Sequence, residues 1–207
     1  MKIKLTNFKA PKNTRMGRFI LNSMNISHRS IYRMCLKHTP FSGEERKIID
    51  IGCGGGRMIH TLLKKYPQAT VYGIDISDAS VSKSLDYNKQ AVSEGRCIVT
   101  MGNANCLPYE DEFFDLITAT ETVMFWDPID DSLREVLRCM KQGAYFVIGI
   151  EAGSKKQSRF WSKIVEGMHP YDAEFMEQHL KDVGFSDVKV FRKNMYACLV
   201  SRKLYRN

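Results

Sequence analysis

The chain has 207 residues, 43% of them hydrophobic and 26% charged, which is enough for one sizeable core and, by length, for a single domain over 1 to 207. Lysine and arginine number 31 against 23 aspartates and glutamates, a formal charge of +8. The excess gathers in the first 37 residues, in GSKKQSR (153 to 159) and in the tail SRKLYRN, without the aromatic-interleaved basic stripe of a single-strand binder, so solvated surface charge is the commoner explanation and a nucleic-acid partner the less favoured one. Apolar runs such as those around Ile117 and Val147 fall far short of the roughly 20 residues that span a bilayer, and the start MKIKLTNFKAPKNTR has no apolar signal core. A cytoplasmic chain without a membrane span is expected. Six cysteines, at 35, 53, 97, 106, 139 and 198, lack CxxC spacing and read as buried free thiols, with neither a metal site nor a disulfide framework.

Residues 18 to 38 carry Phe19, Ile20, Met24, Ile26, Ile31, Met34, Cys35 and Leu36 at helical spacing broken near 25 to 27. Two short helices are predicted, a lid (1 to 40) across the ligand-bearing edge of a core over 41 to 207. Next come a strand (46 to 51), a helix (56 to 65), a strand (70 to 74), a helix (78 to 94) with Ser77 or Asp78 as its N-cap, and a strand (97 to 101). This is βαβαβ alternation. A polar turn at 108 to 111 precedes a strand at 114 to 119, and Asp127-Pro128 opens a helix over 131 to 141. Gly143 precedes the strand AYFVIGI; a basic connector with a short helix (160 to 166), a helix (171 to 183) closed by Gly184, and a terminal hairpin (187 to 191 with 196 to 201) complete the chain.

The most informative stretch is KIIDIGCGGGR at 47 to 57. Ile48, Ile49 and Ile51 suit a buried parallel strand, and Gly52, Gly54 and Gly56 remove side chains so that backbone N–H groups can approach a ligand at the next helix N-terminus. Asp75 in TVYGIDIS stands about 20 residues beyond, where an acid takes ribose hydroxyls; its alternative role is capping the next helix. An adenosine-containing cofactor follows. A dinucleotide site wants G-x-G-x-x-G, and Arg57 stands at the third glycine, so a nicotinamide dehydrogenase is disfavoured.

DIGCGGGR (50 to 57), YGIDIS (72 to 77), GNANCLPYEDEFFDLITATET (102 to 122) and LREVLRCMKQGAYFVI (133 to 148) resemble class I S-adenosylmethionine (SAM)-dependent methyltransferases grouped with the ubiquinone and menaquinone biosynthesis enzymes. The third segment matches the family pattern G-D-A-x-x-L-P-F-x-D-x-x-F-D except for Asn103 in place of the acid and Tyr109 in place of Phe. The resemblance implies a Rossmann-like α/β fold: a seven-stranded, mostly parallel sheet with helices on both faces, a C-terminal antiparallel hairpin and the N-terminal helical lid. It implies SAM as cofactor and S-adenosylhomocysteine (SAH) as product. By the same resemblance Asn103, Ala104 and Asn105 would meet adenine, Asp75 the ribose with Ile76 packed on the ring, and Gly52, Cys53 and Gly54 the methionine portion. Asp50 either orders the loop or touches the ligand, and Arg18 is a candidate for the cofactor carboxylate.

The segment Glu121 to Pro128 leaves the carboxyl end of a central strand and should line the opening to the sulfonium methyl, with Phe125 and Trp126 as an aromatic wall or as core. An Asn/Asp-Pro-Pro-Tyr motif is absent, which disfavours exocyclic base amines. Glu121 is a candidate for the cofactor ammonium or for a general base; His28, His169 and Tyr171 are the other candidate catalytic residues. The expected reaction is methylation of a small or medium-sized acceptor at oxygen or carbon by a monomer or homodimer. An RNA or protein methyltransferase and a non-catalytic SAM-binding module are the alternatives.

Overall fold

A computed structural model describes residues 9–12, 14–40, 42–151 and 153–205. Seven strands form one sheet in the order β3-β2-β1-β4-β5-β7-β6, from β1 (Lys47–Ile51), β2 (Thr70–Asp75), β3 (Cys97–Met101), β4 (Phe114–Thr120), β5 (Met140–Ile150), β6 (Ser186–Lys193) and β7 (Tyr196–Arg202). β7 runs antiparallel to both β5 and β6, and the remaining pairings are parallel. The chain leaves β1 toward β2 and β3, then returns to the other side for β4 and β5. That reversal, between β1 and β4, is where an open α/β sheet leaves a crevice at the carboxyl ends of its strands.

Alternation along each strand divides the core into two layers. Ile49, Ile51, Ile117, Phe146 and Ile148 face α6 (Ile129–Cys139) and α8 (Ala173–Val183), while Ile48, Val71, Leu116, Val147 and Val200 face α2 (Arg29–His38), α3 (Arg57–Lys65) and α4 (Asp78–Tyr87). All ten of these side chains are at most 4% exposed. Both faces are covered, as parallel strands require. Two further helices are α5 (Lys89–Ser93) and α7 (Lys155–Ile164), and a 3-10 turn spans Val123–Phe125.

The helix predicted over 78 to 94 is divided at Asn88, whose amide donates to the carbonyls of Gly56 and Ser84. Ser77 caps α4 by accepting from the Ser80 N–H. The lid expectation is corrected in part. Of its two helices, α1 (Arg15–Ser27) and α2, only α1 lies over the strand ends; α2 presses Ile31, Tyr32, Met34 and Cys35 onto β5 and β7 as part of the core. The thiols are free, and all but the exposed Cys106 are buried, which corrects the expectation for that one. The first eight residues of the expected lid lie outside the described residues.

Candidate functional site

The glycine turn works by opening space, and four of its backbone donors are already used. The N–H groups of Gly52 and Cys53 donate to the Ile74 carbonyl at 2.8 and 3.2 Å, Gly54 N–H to Asp75 Oδ2 at 2.8 Å, and Gly56 N–H to the Cys53 carbonyl at 2.9 Å. A pyrophosphate would need those donors. Gly52 and Gly54 have φ of +72° and +50°, in the left-handed region that favours glycine, and a Cβ on Gly54 would meet nothing within 4 Å. The empty space in front of Gly54 belongs to a cleft.

This cleft lies at the carboxyl ends of β1, β2 and β4 and, measured out to its open mouth, contains about 770 Å³ of empty space. Of the residues predicted for the cofactor, it gathers Gly52, Gly54, Asp75, Ile76, Asn103, Ala104 and Glu121. Asp75 is 8% exposed; burial pushes its carboxyl above the usual range, against the N–H groups of Ser77 and Gly54 that hold the charged form. Asn103 Oδ1 accepts the N–H of Asn105 at 3.2 Å, a local Asx turn that orients the amide at the cleft wall.

α1 and the segment before it roof the cleft through Pro11, Leu21 and Met24. Two hydrogen bonds pin this roof: Asn25 Nδ2 donates to the Gly55 carbonyl at 2.9 Å, and Ser77 Oγ donates to the Pro11 carbonyl at 2.6 Å. A second cavity, about 920 Å³ measured the same way, shares Met24, Glu121 and Phe125 with the first and is otherwise lined by His28, Met124, Glu151, Trp161, Val165, Met168 and two serines. Glu121 stands at the junction. Burial, and then the neighbouring Glu151, push its carboxyl up to about 8, and burial alone raises Glu151 and lowers His28 to about 4. Glu121 also accepts the Glu151 N–H, and its own N–H reaches the Gly149 carbonyl at 2.9 Å, so β4 and β5 hold the two acids side by side.

Several expected residues lie elsewhere. Asp50 is 2% exposed inside the sheet, accepting from Thr118 Oγ1 at 2.7 Å, with burial raising its carboxyl to about 7; it lines neither cavity, and no backbone N–H donates to it. Cys53 points into the core beside Gly73 and Ile59, and its thiol is raised well above normal by burial. Asn105 is engaged at both ends of its amide, donating to the Asp127 carbonyl at 2.9 Å and accepting from Ser132, so it braces α6 from outside the cleft. His169 and Tyr171 stack at 5.1 Å, and Tyr171 stacks on Phe175 at 4.4 Å; neither lines a cavity, although the His169 N–H donates to the carbonyl of Met124 at 2.8 Å, and of that loop Met168 reaches the second cavity. Arg18 is exposed on α1 and lines neither cavity. Trp126 is 6% exposed, stacked on Phe146, with one edge on the cleft.

Glu151 and Trp161 are absent from the sequence-based candidates, and Met24 enters there only through the helical spacing of the lid. Glu151 had a signal, since it follows the strand AYFVIGI at its carboxyl end, the position that drew notice to Glu121. Trp161 and Met24 sit on amphipathic helices and had none.

Residues 49–148 match a family described as a methyltransferase domain. The chain is 29% identical over 102 residues to 24-methylenesterol C-methyltransferase 2 of Arabidopsis thaliana, covering 49% of this chain and 28% of that one. It is 23% identical over 154 residues to a fatty-acid O-methyltransferase of Mycolicibacterium smegmatis, covering 74% and 53%. A solved structure of phosphoethanolamine N-methyltransferase 2 from Haemonchus contortus, in complex with phosphomonomethylethanolamine and S-adenosylhomocysteine, superposes with a TM-score of 0.75 at 14% identity, covering 93% of this chain and 59% of that one. The chain thus spans between a quarter and just over half of these relatives' lengths.

Proposed function

We propose that this chain, which carries a class I SAM-dependent methyltransferase domain, transfers a methyl group from SAM to a small or medium-sized acceptor, at oxygen or carbon. One observation carries the reading: the cleft at the β1/β4 reversal combines a buried ribose-type acid, Asp75, with open space at Gly54, while the N–H groups of Gly52, Cys53, Gly54 and Gly56 are used internally. That suits a phosphate-free nucleoside. SAM would lie with its ribose on Asp75, its adenine between Ile76 and the Asn103–Ala104 wall, and its methionine portion along Gly52 and Gly54 toward Glu121. SAH bound to a related fold supports the same cofactor.

The sulfonium methyl would then face the second cavity, whose walls combine three methionines, Phe125, Trp161 and Val165 with a polar side of two serines, His28 and two glutamates. Transfer is an in-line displacement: the acceptor's lone pair or π electrons form the new bond to the methyl carbon as the carbon–sulfur bond breaks, its electrons remain on sulfur, and SAH leaves neutral at that atom. Alignment and water exclusion supply the bulk of such catalysis, on the order of 7–11 kcal/mol at best. A hydroxyl acceptor must also lose its proton, and Glu121 and His28 are the two candidate bases that the fold brings to this cavity. Relatives that methylate carbon and oxygen, on sterol and fatty-acid frameworks, fit an apolar acceptor chamber.

Calorimetry with SAH tests the cofactor, with one-to-one binding at micromolar concentration expected. Incubation with methyl-tritiated SAM and a metabolite extract tests turnover. SAH binding without label transfer would convert the reading to a non-catalytic binding module; no SAH binding would end it.

A further inference from the structure

We infer that His28, Glu121 and Glu151 form a binding site for one divalent transition-metal ion on the acceptor side of the cleft. One ring nitrogen of His28 and one carboxylate oxygen from each glutamate lie within 4.8 Å of one another. Ligands at about 2.0–2.2 Å from a tetrahedral ion are about 3.3–3.6 Å apart, so the three donors must close by up to about 1.5 Å, an adjustment of side-chain torsions.

The surroundings favour a cation. Two carboxylates share a wall with His28, two serines and an apolar set that includes Met24, Phe125 and Trp161, and no lysine or arginine among the described residues forms an ion pair with either. Burying two like charges together is costly, and a doubly charged ion neutralises both, whereas one shared proton neutralises only half of the charge. The Glu151 N–H holds Glu121 Oε1 from behind, leaving its other oxygen for a ligand, as outer partners commonly orient metal-bound carboxylates. His28 sits where α1 gives way to α2 and lines the same cavity as the two glutamates.

One imidazole and two carboxylates suit first-row ions from manganese to zinc. Three protein ligands leave a coordination position open to the cavity, the arrangement of reactive rather than structural sites. A bound ion would take a hydroxyl or carboxylate oxygen of the incoming molecule at that position. This use rests on the methyltransferase reading, but the ion site itself does not.

The test uses the full chain stripped with EDTA and titrated with Zn²⁺ by calorimetry and with Co²⁺ by visible absorption. One equivalent is expected at micromolar affinity or tighter, with Co²⁺ d–d bands, and a weakening of at least tenfold in both Glu151→Gln and His28→Gln. Circular dichroism melts establish that each variant is folded, and either folded variant suffices to decide. No stoichiometric ion binding by the wild type, or unchanged affinity in the folded variants, overturns the site. SAH binding without ion binding removes only the ion site; ion binding without SAH binding removes only the methyltransferase reading.

Discussion

Gly54→Ala separates what the glycine turn does for the fold from what it does for a ligand. The new methyl meets no protein atom within 4 Å, so the folded state loses only the cost of holding a Cβ at φ +50°, about 1–2 kcal/mol. For a domain of this size that is roughly 2–8 °C in melting temperature. The space the methyl fills is the cleft beside Asp75, and forcing it against a bound ligand costs about 1–3 kcal/mol, some 5- to 150-fold in SAH affinity. Gly52→Ala is the counterpart. Its Cβ would lie 2.1 Å from Thr122 Oγ1 and 2.6 Å from Thr122 Cβ, so β4's exit must move and the loss of stability exceeds that of Gly54→Ala. The assay pairs SAH calorimetry with thermal melts on wild type and both variants. A Gly54→Ala protein that melts a few degrees lower yet binds SAH as tightly as wild type refutes the placement of the cofactor in this cleft. Melting losses of equal size in the two variants refute the packing argument.

Asp50 supplies a pH test. Burial raises its carboxyl from the ordinary 3.8 to about 7, so its charged form is disfavoured in the folded state. Stability is therefore greatest below pH 4 and declines as pH rises through about 7, by an amount on the order of 4 kcal/mol if no relaxation intervenes. Asp50→Asn keeps an oxygen for the Thr118 hydroxyl and should gain in urea midpoint at pH 8 while matching wild type at pH 4.5; parallel midpoints at both pH values would count against it. At Asn103, Asp substitution restores a charged acceptor at the cleft wall, and because charge-assisted hydrogen bonds are about twice as strong as neutral ones, SAH affinity should rise roughly three- to tenfold by calorimetry. Unchanged affinity would place adenine elsewhere. Asp115 accepts from Arg46 N, Lys47 N and Lys141 Nζ at the opposite end of the sheet. Burial pushes its carboxyl up, but Lys141 and those N–H groups outweigh burial and hold it low, so its contribution is present above about pH 4 and disappears as pH falls through the depressed value. Asp115→Ala should cost about 1.5–3 kcal/mol at pH 7, much less at pH 3, and leave SAH affinity intact; an equal loss at both pH values would refute the ion-pair account.

Local signals carried far in this chain. β-branched runs, the three glycines and the acid of β2 lie within a few residues of the features they produce, so strand ends, the turn and Asp75 were readable from spacing alone. Their neighbours were not. Cys53 and Asn105 stand inside the matching motifs yet point away from the cleft, because Gly73 leaves room for the thiol in the core and Ser132 and the Asp127 carbonyl engage the amide. Which way a loop side chain turns depends on what packs behind it, and that is contributed by distant segments.

The acceptor side shows the same division more sharply. The sequence by itself determined a mostly parallel sheet with a glycine turn and a strand-end acid at its carboxyl edge, since strand periodicity, glycine conformational freedom and a strand-end acid are properties of short stretches. Only the tertiary structure decided that Glu121 and Glu151, at the ends of β4 and β5, stand beside His28 from the junction of α1 and α2, while His169 stacks on Tyr171 and Tyr171 on Phe175. Those groups are brought together by parallel pairing and by α1 docking through Asn25 on Gly55. Contacts between residues 30 to more than 100 positions apart exist only once the sheet has closed.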